Sequence, residues 1–305
     1  MLYFIEQCLN GAQLGMLLFL LAAGLTLVFG IMDLVNLAHG SLYMLGAYFA
    51  ATIAALTGSF VVAVVLALVG CLIAGMVLEV IAIRRLYGRD HLNHVLGTFG
   101  LLLFFNELVR LVWGPAGLTL PLPQPMLTAV QIIPGVYYPL YRLVMIVAAL
   151  AVAALLYAMV MRTRLGMLIR AGASNREMAA ALGVNIKLLY TFVFGLGAAL
   201  AGFAGVMQAP ILTVQIGMGE NILILAFVVI IIGGIGSIRG AFVASLVVGL
   251  IDTVGRAFLP DLLHRVLSTN AAATLGPALS SMSIYMLMAA ILVFRPEGLF
   301  PAASR

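Results

Sequence analysis

The stretch MDLVNLAHG, residues 32 to 40, contains an acid, an amide and an imidazole: Asp33, Asn36 and His39. Side chains of these types can transfer protons, hold a polar ligand or act together in catalysis. If the segment is helical, their spacing of three residues places them on one face. They would then form one shared polar surface. Three neighbours complete this candidate site, namely Gly40, Ser41 and Tyr43.

Long apolar blocks enclose this stretch and recur along the chain of 305 residues. Hydrophobic residues make up 65% of the sequence and charged residues 8%, with a mean hydropathy of +1.23. Continuous uncharged blocks of about 20 residues are long enough to cross a bilayer as helices, whereas a β-barrel needs short alternating segments. We therefore predict an all-α, polytopic membrane helix bundle of about eight spans, forming a single transmembrane domain over residues 1–305.

Nine apolar segments are candidate helices. The block that starts at residue 41 is only just long enough, so one of the nine is expected to be a half-helix or a re-entrant piece, and the bundle is expected to contain broken helices. A window of about 20 residues places the segments near 10–31, 41–57, 60–83, 94–113, 140–161, 188–208, 220–237, 241–258 and 279–294.

Basic residues predict the orientation, because cytoplasmic loops carry an excess of Lys and Arg. The RRLYGRD segment and the loop at about 162–187 are rich in Arg, so both are predicted to be cytoplasmic. The loop at about 114–139 has no Lys or Arg and contains five prolines before Tyr138, which indicates an extended external loop. Alternation then places the N-terminus outside and Arg239 and the tail FRPEGLFPAASR inside. Arg256 and Arg265 lie outside, against the rule.

The cytoplasmic stretch AGASNREMAAALGVN predicts a short helix. Ser174 and Glu177 fit the S-x-x-E capping box, and Gly183 can end the helix in a left-handed conformation. The helix would cover about residues 175 to 182. Because so short a helix is marginal in water by itself, it needs a support. Two supports stay open, the bilayer surface and a partner protein.

The energy source is constrained by the absence of a P-loop. The only lysine is Lys187, in GVNIKLL, which has no P-loop glycines before it and no Ser or Thr after it. Energy must therefore come from an ion gradient or from separate subunits. The second-ranked alternative is an ion-driven carrier, which would need acidic residues within its spans. For most of the acids that could serve, the simpler interpretation is that the side chain extends to the membrane interface, known as snorkelling. These candidates are Asp33, Glu79, Glu107, Glu220 and Asp252.

A membrane hydrolase is the third class considered. Asp90, His91 and His94, in RDHLNH, could face a metal, but a catalytic metal normally takes three ligands and no H-E-x-x-H motif occurs. We interpret this cluster as a solvated loop and predict no catalytic residue and no metal. Cys8 and Cys71 are predicted to be packing residues. No nucleic-acid role is expected, because the arginines cluster at the ends of apolar blocks.

Several segments together resemble a known family. Glu177, Met178 and Ala179, followed three residues later by Gly183, resemble the cytoplasmic EAA loop of bacterial ABC-importer permeases. GLTLVFGIMDLVNLAHGSLYMLGAYFA, the stretch from RTRLGMLIRAGASNREMAAALGVN to GFAGVM, IIGGIGSIRGAFVASLVVGLI and FRPEGLF are similar to LivH-type permeases of branched-chain amino-acid ABC importers. Ser41 departs from the family, whose members often carry Glu there.

The resemblance implies a multi-pass subunit of the bacterial cytoplasmic (inner) membrane. Its partners would be a second permease of the LivM type, two cytoplasmic ATPase subunits and an extracytoplasmic substrate-binding protein. ATP would be hydrolysed by the partner subunits, with no cofactor in this chain. The substrate would be a branched-chain amino acid, or urea, an amide or an aromatic acid. The residues implied for ATPase coupling are Ser174, Arg176, Glu177, Ala179 and Gly183.

Two segments of the chain are weakly similar to each other and could both line a transport pathway. The segment that starts at Gly233, GGIGSIRGAFVASLVVGLID, loosely resembles the segment that starts at Gly30, GIMDLVNLAHGSLYMLGAYF. Because broken helices at corresponding positions often line transport pathways, residues 32–40 and 233–240 are candidate lining segments. We predict that the first is a broken helix in which Gly40 makes the turn. The alternative is a cytoplasmic turn in which Asp33 or Asn36 caps backbone groups.

Overall fold

The fold is given by a computed structural model, which describes residues 2–300. Eight helices in this range are long and apolar enough to cross a membrane, as a polytopic all-α bundle requires. The predicted cytoplasmic tail extends through residues 301–305, which lie outside the described residues. The helices are α1 (Leu2–Met32), α2 (His39–Thr57), α3 (Phe60–Ile81), α4 (His91–Trp113), α5 (Leu140–Arg162), α6 (Arg164–Ser174), α7 (Arg176–Ala181), α8 (Ile186–Gln208), α9 (Met218–Gly233), α10 (Ile238–Leu263) and α11 (Thr269–Phe294).

The shortest of the nine apolar helices is α9, whereas the sequence indicated that the block from residue 41 would be the short one. Helix α9 has 16 residues, whereas α2 has 19. Two glycines with positive φ enclose α9, Gly217 at 79° and Gly234 at 103°, and this conformation interrupts a right-handed helix. The prediction of residues 220–237 was therefore wrong at its end. Two other helices begin well before the predicted residue, α1 at Leu2 and α11 at Thr269, because polar residues near their starts, such as Glu6 and Asn270, kept these turns out of the predicted apolar segments.

Helix α1 lies at the centre of the bundle. In its most apolar window 83% of the residues are buried, against 17% for α4 and 11% for α11. A helix that is apolar on every face suits a position surrounded by other helices. Helices α8 and α10 pack most extensively along α1, while α4 and α11 lie at the periphery. The buried core of the bundle therefore surrounds α1. The outer helices point many of their apolar side chains away from the bundle.

Small residues allow α8 to approach three helices closely. A Cβ atom on Gly197 would lie 3.0 Å from the carbonyl oxygen of Gly24 in α1. A Cβ on Gly202 would lie 2.8 Å from the Cβ of Cys71 in α3, and one on Gly46 in α2 would overlap the Gly202 backbone. Close backbone approach of this kind stabilises helix pairs in lipid. The small residues therefore pack within one bundle, and Cys71 is buried among them.

The predicted external loop 114–139 is ordered. It contains a 3₁₀ turn, Gln124–Leu127, and an antiparallel hairpin of β1 (Ala129–Ile133) and β2 (Val136–Pro139). Gly135, with φ of 90°, makes the hairpin turn. Leu118 exchanges backbone hydrogen bonds of 2.8 and 2.9 Å with Val214, which follows α8. Both loops therefore lie at the same end of the bundle, in agreement with the predicted alternation.

The segment between α5 and α8 contains two helices where one was predicted. Ser174 is the last residue of α6, and Asn175 is the N-cap of α7, its side-chain oxygen accepting from the Met178 N–H at 2.9 Å. The Ser174–Glu177 capping box was therefore wrong by one residue. The physical reason is that the chain stays helical through Ser174 and turns extended at Asn175, which has φ of −153°.

Candidate functional site

The predicted interruption between the first two spans is present. Helix α1 ends at Met32, residues 33–38 are not helical, and α2 begins at His39. The turn occurs at Asp33, whose φ is 53°, and not at Gly40, which lies inside the first turn of α2. Asp is among the residues that tolerate this left-handed conformation. Asp33, Asn36 and His39 therefore do not share a helix face.

Helix α2 begins deep inside the bundle. The Nε2 atom of His39 donates to the carbonyl oxygen of Leu21 at 3.2 Å. Leu21 lies eleven residues before Met32 in α1, which corresponds to about 16 Å along the helix axis. The non-helical segment thus runs back along α1 before α2 starts. A surface turn capped by Asn36 is ruled out, because no side chain caps α2 and the Asn36 amide has no partner among the described residues.

Thr98 of α4 fixes the non-helical segment, and it was missed in the sequence. Its hydroxyl accepts from the Leu37 N–H at 3.1 Å and donates to the carbonyl of His94 at 2.7 Å. His94, Thr98 and Leu102 form the buried stripe of an otherwise exposed helix. Their four-residue spacing was a signal that could have identified the inner face of α4.

Several buried polar atoms at this break have no hydrogen-bond partner within residues 2–300. They include both side-chain atoms of Asn36, Nδ1 of His39 and the Ser41 hydroxyl, on side chains no more than 3% exposed. Because a carbonyl only accepts, Nε2 of His39 carries the proton and Nδ1 of the neutral ring is a free acceptor. An unsatisfied buried polar group lowers the folding stability by about 1–3 kcal/mol. A polar partner that bound at these atoms would therefore be favoured. Thr26 and Tyr48 each add an unpartnered hydroxyl.

The first turn of α9 meets the first turn of α2. A Cβ atom on Gly40 would lie 2.6 Å from the carbonyl oxygen of Gly219, so only glycine fits at this contact. The Gly217 N–H lies 3.4 Å from the sulfur of Met44, one turn further along α2. Two helices therefore start at the same depth inside the bundle. The N-termini of interrupted helices carry partial positive charge.

The second predicted break is also present and lies next to the end of α1. Residues 234–237 separate α9 from α10, and Ser237 caps α10 by accepting from the Gly240 N–H at 3.1 Å. A Cβ on Gly30 would lie 3.3 Å from the Cα of Gly236. The tail caps α9, since the Phe300 N–H donates to the Gly233 carbonyl at 3.0 Å.

The structure separates the residues predicted for ATPase coupling. Ala179 is buried at 4% exposure, whereas Arg176 and Glu177 are exposed on α7 and Ser174 is exposed at the end of α6. Gly183 ends the α7 turn with φ of 89°. The apolar surface that α7 and its C-cap expose consists of Met178 and Leu182, whose side chains are 59% and 79% exposed.

Glu79 is buried and fully paired, so interfacial snorkelling was the wrong interpretation for this acid. Its carboxylate accepts from Arg84 at 2.8 and 3.1 Å, from the Tyr87 hydroxyl at 2.7 Å and from the Thr191 hydroxyl at 2.7 Å. The side chain of Glu79 has no exposed surface. This cluster connects the end of α3 to the second turn of α8, close to α7.

Tyr87 keeps its proton in this cluster. Burial raises the pKa of the Tyr87 hydroxyl well above its ordinary value, and the neighbouring Glu79 carboxylate raises that pKa further. Tyr87 packs edge-on against Tyr190 at 5.1 Å, and the Tyr190 hydroxyl donates to the Ile31 carbonyl at 3.3 Å. The ends of α1, α3 and α8 are thus held together on the predicted cytoplasmic side.

The RDHLNH cluster does not converge on one point. Nε2 of His94 donates to the Leu86 carbonyl at 2.9 Å, and the ring of His91 is exposed beside it. The Asp90 carboxylate accepts from Asn93. Across residues 2–300, no three His, Cys, Asp or Glu side chains are grouped so that they could hold a metal ion. The histidine at position 94 therefore joins α4 to the preceding turn.

Comparisons with known proteins extend over nearly the whole chain. Residues 7–292 match the family model described as "Branched-chain amino acid transport system / permease component". The chain is 29% identical over 311 residues to the high-affinity branched-chain amino acid transport system permease protein BraD of Pseudomonas aeruginosa, covering 97% of this chain and 95% of the relative. No solved structure matches the chain.

Two LivH proteins are also similar. The high-affinity branched-chain amino acid transport system permease protein LivH of Escherichia coli is 32% identical over 273 residues, covering 85% of this chain and 88% of the relative. A probable branched-chain amino acid transport permease protein LivH of Methanocaldococcus jannaschii is 26% identical over 246 residues, covering 78% of this chain and 76% of the relative. The family-model match, over residues 7–292, includes both breaks and the α6–α7 segment.

Proposed function

The chain belongs to the family of branched-chain amino acid transport system permease components, and we propose that it is one membrane subunit of an ABC importer for branched-chain amino acids or related small polar substrates. The observation that carries this proposal is the match of residues 7–292 to the family model, to which the similarity to the BraD and LivH relatives is added. The chain is a multi-pass membrane protein with no P-loop. Its work is transport, and ATP is hydrolysed by partner subunits.

The proposed assembly has four further components. A second permease of the LivM type completes the translocation path, two ATPases bind on the cytoplasmic face, and an extracytoplasmic protein delivers the substrate. The complex is placed in the bacterial cytoplasmic membrane. No cofactor is assigned to this chain. These assignments rest on family membership and on the orientation expected from the basic loops.

The proposed pathway passes the point where α2 and α9 begin. The support is the convergence of two interrupted helices at one depth, together with the unpartnered polar atoms of Asn36, His39 and Ser41. Asp33 shapes the break, Gly40 allows the contact with α9, and the backbone of Tyr43 lies against Gly205 of α8. In this structure these side chains are mostly buried. Alternating access would expose the polar atoms to water or substrate.

The proposed coupling element is α7 with the turn at Gly183. Met178 and Leu182 lie four residues apart and present an exposed apolar pair, which suits insertion into a groove of an ATPase subunit. Movement of α7 would pass to α8 through the three-residue connection between Leu182 and Ile186 and then to α3 through the Glu79 cluster. Glu177 and Arg176 lie beside the apolar pair and can meet charges on the partner.

The decisive experiment is reconstitution of the chain in proteoliposomes with the products of its neighbouring genes. We expect uptake of labelled leucine, isoleucine or valine to require both ATP and the binding protein. A proteoliposome series with urea, an amide and an aromatic acid identifies the substrate class. Uptake by this chain alone, driven by a proton or sodium gradient, would show that it is an ion-driven carrier instead.

A further inference from the structure

A groove lies between α6 and α8 at their predicted cytoplasmic ends, and no function has been assigned to it above. We name it the α6–α8 groove. Its walls are Met76 of α3, Leu165 and Leu168 of α6, the connection 182–185 and one face of α8. Most of these side chains are apolar. The volume of the groove is about 500 Å³, within the range of ~300–1,000 Å³ that sites for small ligands have.

The groove extends into the membrane-spanning part of the bundle. Met76 lies five residues before the end of α3 at Ile81, or about 8 Å, and Phe192 lies six residues after the start of α8, or about 9 Å. With 22 and 23 residues, these helices are about 33–35 Å long, close to the hydrocarbon thickness of about 30 Å. The inner part of the groove is therefore level with acyl chains, where a subunit docked on the cytoplasmic face does not reach.

Two basic side chains without acidic partners belong to the segments that form the groove. Arg164, at the start of α6, is exposed directly before Leu165. Lys187 is exposed one helix turn before Thr191 and therefore lies on the same side of α8. Neither cation forms a salt bridge with any residue that the structure describes. Both are therefore free to bind an anion.

Arg84 adds a third cation through Thr191, which lines the groove. Its Nη2 donates to the Thr191 hydroxyl at 2.7 Å, and Nε and Nη2 donate to Glu79, whereas Nη1 has no acceptor within residues 2–300. The side chain of Arg84 is 32% exposed, while that of Glu79 has no exposed surface. No acid is among the residues that line the groove. An apolar interior is thus combined with an excess of positive charge.

This combination fits an anionic phospholipid of the cytoplasmic leaflet. Basic pockets between spanning helices on the cytoplasmic side bind acidic headgroups, and phosphate oxygens form strong hydrogen bonds with Arg and Lys. We propose that the α6–α8 groove binds one such lipid, with an acyl chain along the apolar walls and the phosphate at Lys187, Arg164 and Nη1 of Arg84. The groove also excludes a free phosphate ion as its main ligand, because such an ion leaves the apolar walls unfilled.

The lipid has a structural consequence for the coupling segment. It lies against the connection 182–185, which joins α7 to α8. Helix α7 has only six residues and is marginal by itself, so a lipid held under this connection stabilises its position. The proposal adds a lipid site to the proposed transport function and requires only the predicted orientation of the chain.

The first test measures lipid binding to the full chain purified in detergent, by native mass spectrometry. Phosphatidylglycerol is the anionic probe, and phosphatidylcholine is the zwitterionic one. We expect phosphatidylglycerol to bind preferentially, and Lys187→Gln to weaken its binding about five-fold, the equivalent of about 1 kcal/mol for one cation beside an acidic lipid. Arg295→Gln, at an exposed position after the peripheral helix α11, should match the wild type. Equal binding of the two lipids, or equal binding by the two variants, would overturn the proposal.

The second test fills the groove. Leu188 lines it and is 67% exposed, so Leu188→Trp should lower phosphatidylglycerol binding without lowering the thermal unfolding midpoint. Leu155→Trp, at a position of α5 that is 64% exposed and outside the groove, is the matched control and should bind like the wild type. Unchanged binding by Leu188→Trp would contradict the proposal.

Two competition experiments test the other occupants of the groove. Inorganic phosphate should not displace phosphatidylglycerol, and displacement would mean that the cations bind a free anion. The ATPase subunits should bind without expelling the lipid, and expulsion would assign the groove to the ATPase interface instead. Either displacement would overturn the proposal. Because none of these measurements involves uptake, their failure is distinguishable from a failure of the proposed transport function.

Discussion

Gly40 and Gly219 touch backbone to backbone, since a Cβ atom on Gly40 would lie 2.6 Å from the carbonyl oxygen of Gly219. This contact joins the N-terminal turns of α2 and α9 inside the bundle. It explains why the glycine that follows Ala38 and His39 is needed even though the chain does not turn there. Neither helix can shift toward the other, and any side chain at either position must push them apart.

The first prediction concerns this contact. Gly40→Ala should destabilise the protein by about 1–3 kcal/mol, the usual cost of overpacking, and should lower uptake because both interrupted helices move. Gly100→Ala is the matched control, because a Cβ there meets nothing within 4 Å and Gly100 is also in a helix. The measurement is thermal unfolding in detergent together with uptake. Equal unfolding midpoints for the two variants would refute the close contact.

The second prediction separates packing from transport at Asn36. Asn36→Leu removes a buried amide that has no partner among the described residues, so the folded state should be equally stable or more stable by about 1 kcal/mol. Uptake should nevertheless fall, because a polar contact along the pathway is lost. Thermal unfolding and uptake are measured on the same preparation. Unchanged uptake would make Asn36 a packing residue only.

The third prediction concerns α7. Leu182→Glu places a charge on the most exposed apolar side chain of this segment, so it should not affect folding but should uncouple ATPase activity from the substrate-loaded binding protein. Val266→Glu, at a position 86% exposed between α10 and α11, is the control. ATPase stimulation and uptake are the readouts. Full stimulation in Leu182→Glu would remove α7 from the ATPase interface.

The fourth prediction tests the turn that follows α7. Gly183 has φ of 89° and its N–H donates to the Ala180 carbonyl at 2.9 Å, and proline can satisfy neither condition. Gly183→Pro should therefore disrupt the α7–α8 connection and abolish coupling, while the membrane helices still insert. Gly183→Asn, which tolerates a left-handed φ, should retain most activity. Membrane-fraction blotting and ATPase stimulation compare the two variants, and equal activities would contradict this account.

The fifth prediction concerns the Glu79 cluster. Glu79→Ala removes the acceptor of the buried Tyr87 hydroxyl and should cost about 1–3 kcal/mol of stability, while Arg84, which is 32% exposed, can turn to water. Thr191→Val removes one hydroxyl from the cluster and should cost about 1 kcal/mol. Denaturation in detergent gives both values. If Glu79→Ala were no more destabilising than Thr191→Val, the carboxylate would not be the centre of the cluster.

The amino-acid sequence alone determined the class of protein and the positions of its interruptions. Uninterrupted apolar blocks require bilayer-spanning helices, since backbone groups in lipid must be satisfied within each segment. Glycine and polar residues between the blocks marked the breaks at 32–40 and 233–240, and both are present. The short cytoplasmic helix was also predictable, although its cap was placed at Ser174 and belongs to Asn175.

Only the tertiary structure decided which residues meet. Glu79 with Thr191, Asn106 with Glu220, and Gly40 with Gly219 are each separated by more than 100 residues in the chain. Helical periodicity describes one helix at a time, whereas these contacts depend on the depth at which separate helices start and on how closely glycine lets them approach. That is why Glu79 resembled an interfacial acid in the sequence and is, in the fold, the buried centre of a hydrogen-bonded cluster.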